Sequence, residues 1–220
     1  MSEPTPRFRT VILDVDSTLC GIEGIDYLAA YRGPAVEREV SQLTDAAMRG
    51  EIPLESIYGL RMQQVQPSEH DLATLSWAYR KAQAPNAREV LNAGRAAGIR
   101  WIIVSGGLRP AILPLARALG IPEGDVHAVH VDVLADGSYG GFDETSPLTR
   151  QGGKPELVRS LGFLEGPTLA VGDGQTDAEI GTIVDEFWAY TGFVERPSVV
   201  ARANRVVRSF SELSSFILHP

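Results

Sequence analysis

The chain has 220 residues, of which 44% are hydrophobic, and a formal charge of −8. This supplies one core, or a core with a smaller insert, without staples. The charge argues against general nucleic-acid binding, which needs a basic face, and no run approaches the roughly 18 to 20 apolar residues of a membrane span.

No charged-then-apolar leader stands at the start, and the single cysteine, Cys20, cannot form an internal disulfide; both point to the cytoplasm. The first apolar run, "TVILD" at 10–14, predicts a strand ending abruptly in "VDSTLC". Residues 21–84 have a different texture, with polar helical patterns such as "PAVEREVSQLTDAAMRG" and no strand-like segment, which predicts an inserted helical cap. Helical patterns follow at 86–97, 109–119 and 154–161, and strand-like runs at "IRWIIVSGG" (99–107), "PTLAVGDG" (167–174) and "FWAY" (187–190). "VHAVHVDVLADGSYGGF" (126–142) alternates about "ADGS" and predicts an antiparallel hairpin.

The alternation of strand and helix predicts an α/β fold with a Rossmann-like parallel sheet, covered on both faces. Residues 1–20 and 85–220 are expected to form this core, and 21–84 the cap. In such sheets the ligand sits beyond the carboxyl ends of the strands. That edge collects Asp14, Asp16, Ser105, Gly106, Asp173 and Asp177.

A strand end rich in Asp, Ser and Thr is also an ordinary turn. Three carboxylates at one edge, however, repel by roughly 4 kcal/mol per pair at 4 Å and an effective dielectric of about 20, so something positive is required there. Hard oxygen ligands without a His or Cys cluster favour Mg²⁺ over zinc. Lys154, in "QGGKPEL", supplies a second positive charge if its segment returns to this edge. "GGKP" is not a phosphate-binding Walker loop, since Pro155 replaces the required Ser or Thr. Nor is "DVDST" a calcium loop, with Leu19 at the sixth position and Ile25 at the twelfth. His127 and His130, three apart on a predicted strand, point to opposite faces and do not suggest a zinc site. Cys20 suits a small packing role.

"DVDST", "SGG", the downstream Lys154 and "GDGQTD", in that order, resemble the haloacid-dehalogenase superfamily of aspartate-nucleophile phosphatases. "DVDSTLCGIEGIDYLA", "VSQLTDAAMRGEIPLE", "QQVQPSE" and "GFDETSP" extend the resemblance to the phosphoserine phosphatase family over nearly the whole chain. The resemblance implies that Asp14 is the nucleophile and Asp16 the general acid and base. It further implies that Asp14, the Asp16 carbonyl and Asp173 hold Mg²⁺, with Asp177 in support, and that Ser105, Gly106 and Lys154 hold phosphate oxygens. Glu23 and Arg61 would recognise the ammonium and carboxylate of an amino acid, Met48 and Leu54 would line the pocket, and Thr176 stands where many relatives have Asn. "APNAREV" and "GFVERPS" depart from the family pattern, the latter placing Glu195 and Arg196 where they could reshape the pocket edge.

The expected activity is Mg²⁺-dependent hydrolysis of O-phospho-L-serine by a monomer or homodimer. The alternatives are action on another small phosphomonoester, phosphoryl transfer to an acceptor such as homoserine, and a non-catalytic sensor of a phosphorylated amino acid.

Overall fold

In a computed structural model, which describes residues 6–48 and 52–218, the first apolar run forms strand β1 (Thr10–Leu13), buried on both faces. The chain then makes four helices: α1 (Gly24–Tyr31), α2 (Pro34–Met48), α3 (Leu54–Val65) and α4 (Glu69–Lys81). No strand interrupts them among the described residues. Helix α5 (Ala87–Ala96) leads into β2 (Arg100–Leu108), α6 (Arg109–Ala118) and β3 (Val126–Val129). A two-stranded antiparallel ribbon follows, β4 (Val131–Val133) and β5 (Tyr139–Phe142). The remainder alternates: α7 (Gly153–Ser160), β6 (Thr168–Gly172), α8 (Gln175–Ile180), β7 (Glu186–Tyr190), α9 (Pro197–Val200), β8 (Arg205–Val207) and α10 (Phe210–Ile217).

Six strands form one parallel sheet in the order β3-β2-β1-β6-β7-β8. β1 lies between β2 and β6, so the connections run outward in both directions from it. Such a switch point opens a crevice beyond the carboxyl ends of the central strands. Asp14 follows β1 there, and Asp173 follows β6. The fold is therefore the expected α/β, Rossmann-like sheet with a helical insertion and a small hairpin.

The hairpin is shorter than the sequence pattern suggests. Val126–Val129 belongs to the main sheet as β3, and only β4 and β5 form the antiparallel ribbon. β3 is an edge strand with Val126 and Val129 buried and His127 and Ala128 half-buried. A half-covered edge strand shows the same mixture of apolar and polar residues as a hairpin arm.

The helical segment is fastened at its base. Gly21 N–H donates to the Ala82 carbonyl at 2.9 Å and Ala84 N–H to the Leu19 carbonyl at 2.8 Å, so entry and exit run side by side. Within it, α4 begins with a capping box: Ser68 Oγ accepts from Asp71 N–H, and Asp71 Oδ2 accepts from Ser68 N–H at 2.9 Å. Arg32, at the end of α1, pairs with the same Asp71 at 2.5 Å. Burial acts against the charged carboxyl, but Arg32 and Ser68 hold Asp71 down to about 2. Its contribution to stability is therefore complete above the usual carboxylate pKa of about 3.9 and fades as pH falls toward about 2. Ser68→Ala is expected to cost about 1 kcal/mol and lower Tm by about 2–4 °C at neutral pH, checked by thermal melting; an unchanged Tm would remove the cap from the account.

No helix among the described residues is long and apolar enough to cross a membrane.

Candidate active site

β1 continues its ladder one residue further, with Asp14 N–H donating to the Val171 carbonyl at 3.1 Å, and then turns sharply. Thr18 and Cys20 both donate N–H groups to the Val15 carbonyl, and Ser17 takes a left-handed φ of 51°. This tight loop presents Asp14 and Asp16 at the switch point. After β6, the buried Asp173 is held by Thr18 Oγ1, which donates to Oδ1 at 3.0 Å. The hydroxyl of "DVDST" thus ties the two acidic loops together.

Lys154, at the start of α7, is 4% exposed. Its Nζ lies 2.6 Å from Asp177 Oδ1 and 3.0 Å from Asp14 Oδ1. The second contact is an ion pair, and Asp14 Oδ1 is otherwise buried without a hydrogen-bond donor. Asp177 Oδ2 accepts from Gly174 N–H at 3.0 Å. A side chain at Gly172 would bring its Cβ within 2.2 Å of Asp177 Cγ, so only glycine lets this carboxylate reach the lysine.

Asp14, Asp173 and Asp177 each offer a carboxylate oxygen within 4.8 Å of the others. Three hard oxygen donors and an oxygen on Asp14 without a hydrogen bond fit a hard divalent cation. His127 and His130 are not part of this cluster, and Cys20 is buried, its Sγ 3.2 Å from the Tyr79 carbonyl.

A cavity of about 460 Å³ opens above this edge. Asp14, Asp16, Lys154 and Asp173 line its floor with Ser105 and Gly106; Glu23, Arg61 and Thr176 also reach it. Asp177 does not, standing behind Lys154. The side chains of Met48 and Leu54 lie outside the described residues.

Against known proteins, the model for the haloacid dehalogenase-like hydrolases matches residues 8–184. The chain is 34% identical over 205 residues to the phosphoserine phosphatase of Bos taurus, covering 92% of this chain and 90% of the bovine protein. The chain belongs to the phosphoserine phosphatase family of haloacid dehalogenase-like hydrolases. The chloroplastic phosphoserine phosphatase of Arabidopsis thaliana is likewise 34% identical, over 93% of this chain and 70% of its own length. The crystal structure of a phosphoserine phosphohydrolase-like protein from Francisella tularensis superposes with a TM-score of 0.84 at 26% identity, covering 94% of this chain and 98% of that one.

The electrostatics suit a hydrolase of this family. Burial, then the charges of Glu23 and Asp14, push the Asp16 carboxyl well above its usual range, which favours a group that starts protonated. Asp177 is raised to about 7 by burial and by Asp14, against the pull of Lys154. For Lys154 burial acts downward, but Asp14 and Asp177 outweigh it and keep the ammonium charged. Glu23 is raised mainly by burial, while Ser17 Oγ donates to its Oε1 at 2.7 Å.

Four further side chains bond to residues of this site. Asp26 pairs with Arg61 at 2.5 Å, leaving Arg61 Nε buried without a partner. Tyr58, on α3, donates to the Gly106 carbonyl at 2.8 Å and so joins the helical segment to the end of β2. Tyr79, on α4, donates to Asp16 Oδ1 at 2.7 Å. Arg196 pairs with Asp173 and lies 3.7 Å from Glu23. Its sequence signal was the departure "GFVERPS"; Asp26, Tyr58 and Tyr79 sit in helical patterns where nothing distinguishes them from packing residues.

Proposed function

We propose that the chain hydrolyses O-phospho-L-serine to L-serine and phosphate through an aspartyl-phosphate on Asp14, with Mg²⁺, in the cytoplasm. The observation that carries this reading is the mixture of charge lining one cavity: a buried Asp14 beside Lys154, together with Glu23 and Arg61. A phosphate with charge of about −1.5 to −2 at pH 7 suits the lysine, and an amino acid's carboxylate and ammonium suit Arg61 and Glu23.

Asp14 and Asp173, of the carboxylate cluster, and, by the family resemblance, the Asp16 carbonyl would hold the metal, with Asp177 keeping Lys154 in place. Bound there, Mg²⁺ neutralises phosphate charge that would otherwise oppose a carboxylate's approach. An Asp14 carboxylate oxygen attacks phosphorus; the bond to the serine oxygen breaks, and Asp16 gives that oxygen its proton. Ser105, Gly106 and Lys154 hold the other phosphate oxygens; Ser105 Oγ is fixed by accepting Gly107 N–H at 3.1 Å, which leaves its own proton to donate. Water then attacks the aspartyl-phosphate, Asp16 takes its proton, and phosphate leaves with Asp14 restored. Thr176, which also lines the cavity, would bond phosphate or that water. Residues 21–84 act as a cap on the core formed by 1–20 and 85–220, excluding water during attack and opening for release.

Arg196 favours a second reading. Its proximity to Glu23 competes with a substrate ammonium, which would suit a small phosphomonoester without one.

Phosphate release from phosphoserine, phosphothreonine, phosphohomoserine, phosphoethanolamine and an aryl phosphate, with Mg²⁺ or chelator, tests both. Phosphoserine is expected to dominate, and only with metal. Arg61→Ala removes a charged hydrogen bond of roughly 1.5 to 3 kcal/mol, lowering kcat/KM for phosphoserine about 10- to 150-fold and sparing the aryl ester. Equal losses on both would count against carboxylate recognition; metal-dependent activity on another ester would keep the chemistry and change the substrate.

A further inference from the structure

Tyr79 is fully buried and belongs to the helical segment, yet its hydroxyl ends on Asp16. Tyr79 Oη donates to Asp16 Oδ1 at 2.7 Å, and Gly24 N–H donates to the same oxygen at 3.3 Å. The hydroxyl sits in space that two glycines leave open. A Cβ on Gly24 would lie 2.1 Å from the Tyr79 hydroxyl, and one on Gly107 would lie 3.3 Å from it. The backbone of Tyr79 is fixed to the turn after β1 as well, since Cys20 Sγ donates to the Tyr79 carbonyl at 3.2 Å. Both ends of the side chain are therefore referenced to the loop that carries Asp16.

A carboxyl oxygen has two in-plane acceptor positions. Two donors on Oδ1 occupy both, so a proton on this carboxyl resides on Oδ2. We infer that Tyr79 is a positioning residue for the reaction: with Gly24 N–H it holds Oδ1 of Asp16 as an acceptor and leaves Oδ2 to deliver the proton to the departing alkoxide. This rests on the role proposed above for Asp16. In the step itself the Asp16 proton passes from Oδ2 to the substrate oxygen as the oxygen–phosphorus bond breaks, and the Tyr79 proton stays where it is.

The leaving group separates positioning from mere packing. An alkoxide such as serine's needs a proton as it departs, whereas p-nitrophenolate, the anion of a much stronger acid, leaves without one. Because kcat/KM reports the steps through phosphorylation of the enzyme, it isolates this difference from the later attack by water. In the full-length protein with Mg²⁺, Tyr79→Phe is expected to lower kcat/KM for phosphoserine about tenfold or more, while p-nitrophenyl phosphate changes less than about twofold. Asp16→Asn should show the same bias, more strongly.

Should Tyr79→Phe prove unstable by thermal melting, Gly24→Ala displaces the hydroxyl while retaining the tyrosine and is expected to reproduce the selective loss. Equal losses on the two esters, or no loss on phosphoserine, in a folded variant would overturn the positioning role while leaving the proposed hydrolysis intact. If the wild type released phosphate from neither ester, the reading of the reaction would fall, and this role with it.

Discussion

Asp14→Asn is expected to lower phosphate release from phosphoserine by a factor on the order of 10⁴ or more, the scale on which removing a covalent nucleophile acts. The amide has nearly the carboxylate's shape but almost none of its nucleophilicity. The fold should not suffer. Asp14 repels Asp16 and Asp177 but attracts Lys154, which keeps Asp177 as its partner; the two effects of deleting its charge oppose each other, and Tm should stay within a few degrees of the wild type. Phosphate release and thermal melting on the same preparation check both halves. Activity within a tenth of wild type would remove Asp14 from the chemistry, and a collapse in Tm would mean that the carboxylate is structural.

Lys154→Met is the second large effect, and it acts on stability as well as rate. Lys154 is almost entirely buried between Asp14 and Asp177, and removing one partner of a buried ion group costs about 3–5 kcal/mol because the other charges remain unpaired. For a chain of this size that is a Tm loss of about 6–20 °C. The sign with pH follows from Asp177, already raised to about 7. Between its unfolded pKa of about 3.9 and its folded value the native state binds more protons than the unfolded one, so stability contributed by this group falls as pH rises. Without the lysine the folded pKa moves higher and the window widens upward. The variant should therefore lose more at pH near 8 than near 5, a comparison that melting curves in chelator make directly. A loss independent of pH would place the damage in packing rather than charge.

The parallel sheet was legible because its central strands are buried on both faces: "TVIL", "WIIV" and "TLAV" are continuous apolar runs that solvent-facing elements do not tolerate. Edge strands carry no such signal. β8 is three residues long and only Val207 is buried, and β3 shares its half-covered pattern with the ribbon next to it. In the site, the acidic loops and Lys154 were legible because unpaired charge at a strand end demands compensation. Their supporting partners were not. Tyr79 lies beside Leu72, Leu75 and Ala78 on a buried helical face, where a phenol that bonds a carboxyl and one that merely packs have the same periodicity. Asp26 is likewise an ordinary first-turn acid of α1 until Arg61 is brought to it from another helix.

The position of β1 between β2 and β6 also governs how the protein comes into being. Thr10 pairs with Arg100 on one side and Thr168 on the other, so the strand that presents Asp14 is synthesised long before either neighbour. At about 5–20 residues per second on the ribosome, it waits several seconds or more for both. Meanwhile its two open edges are what chaperones shield and what aggregation recruits. Sheet closure of such long range is slow, and Asp173 joins Asp14 only when β6 docks. A nascent chain halted anywhere before that strand therefore carries Asp14 without Asp173 and Asp177, and the acidic cluster is completed late in translation.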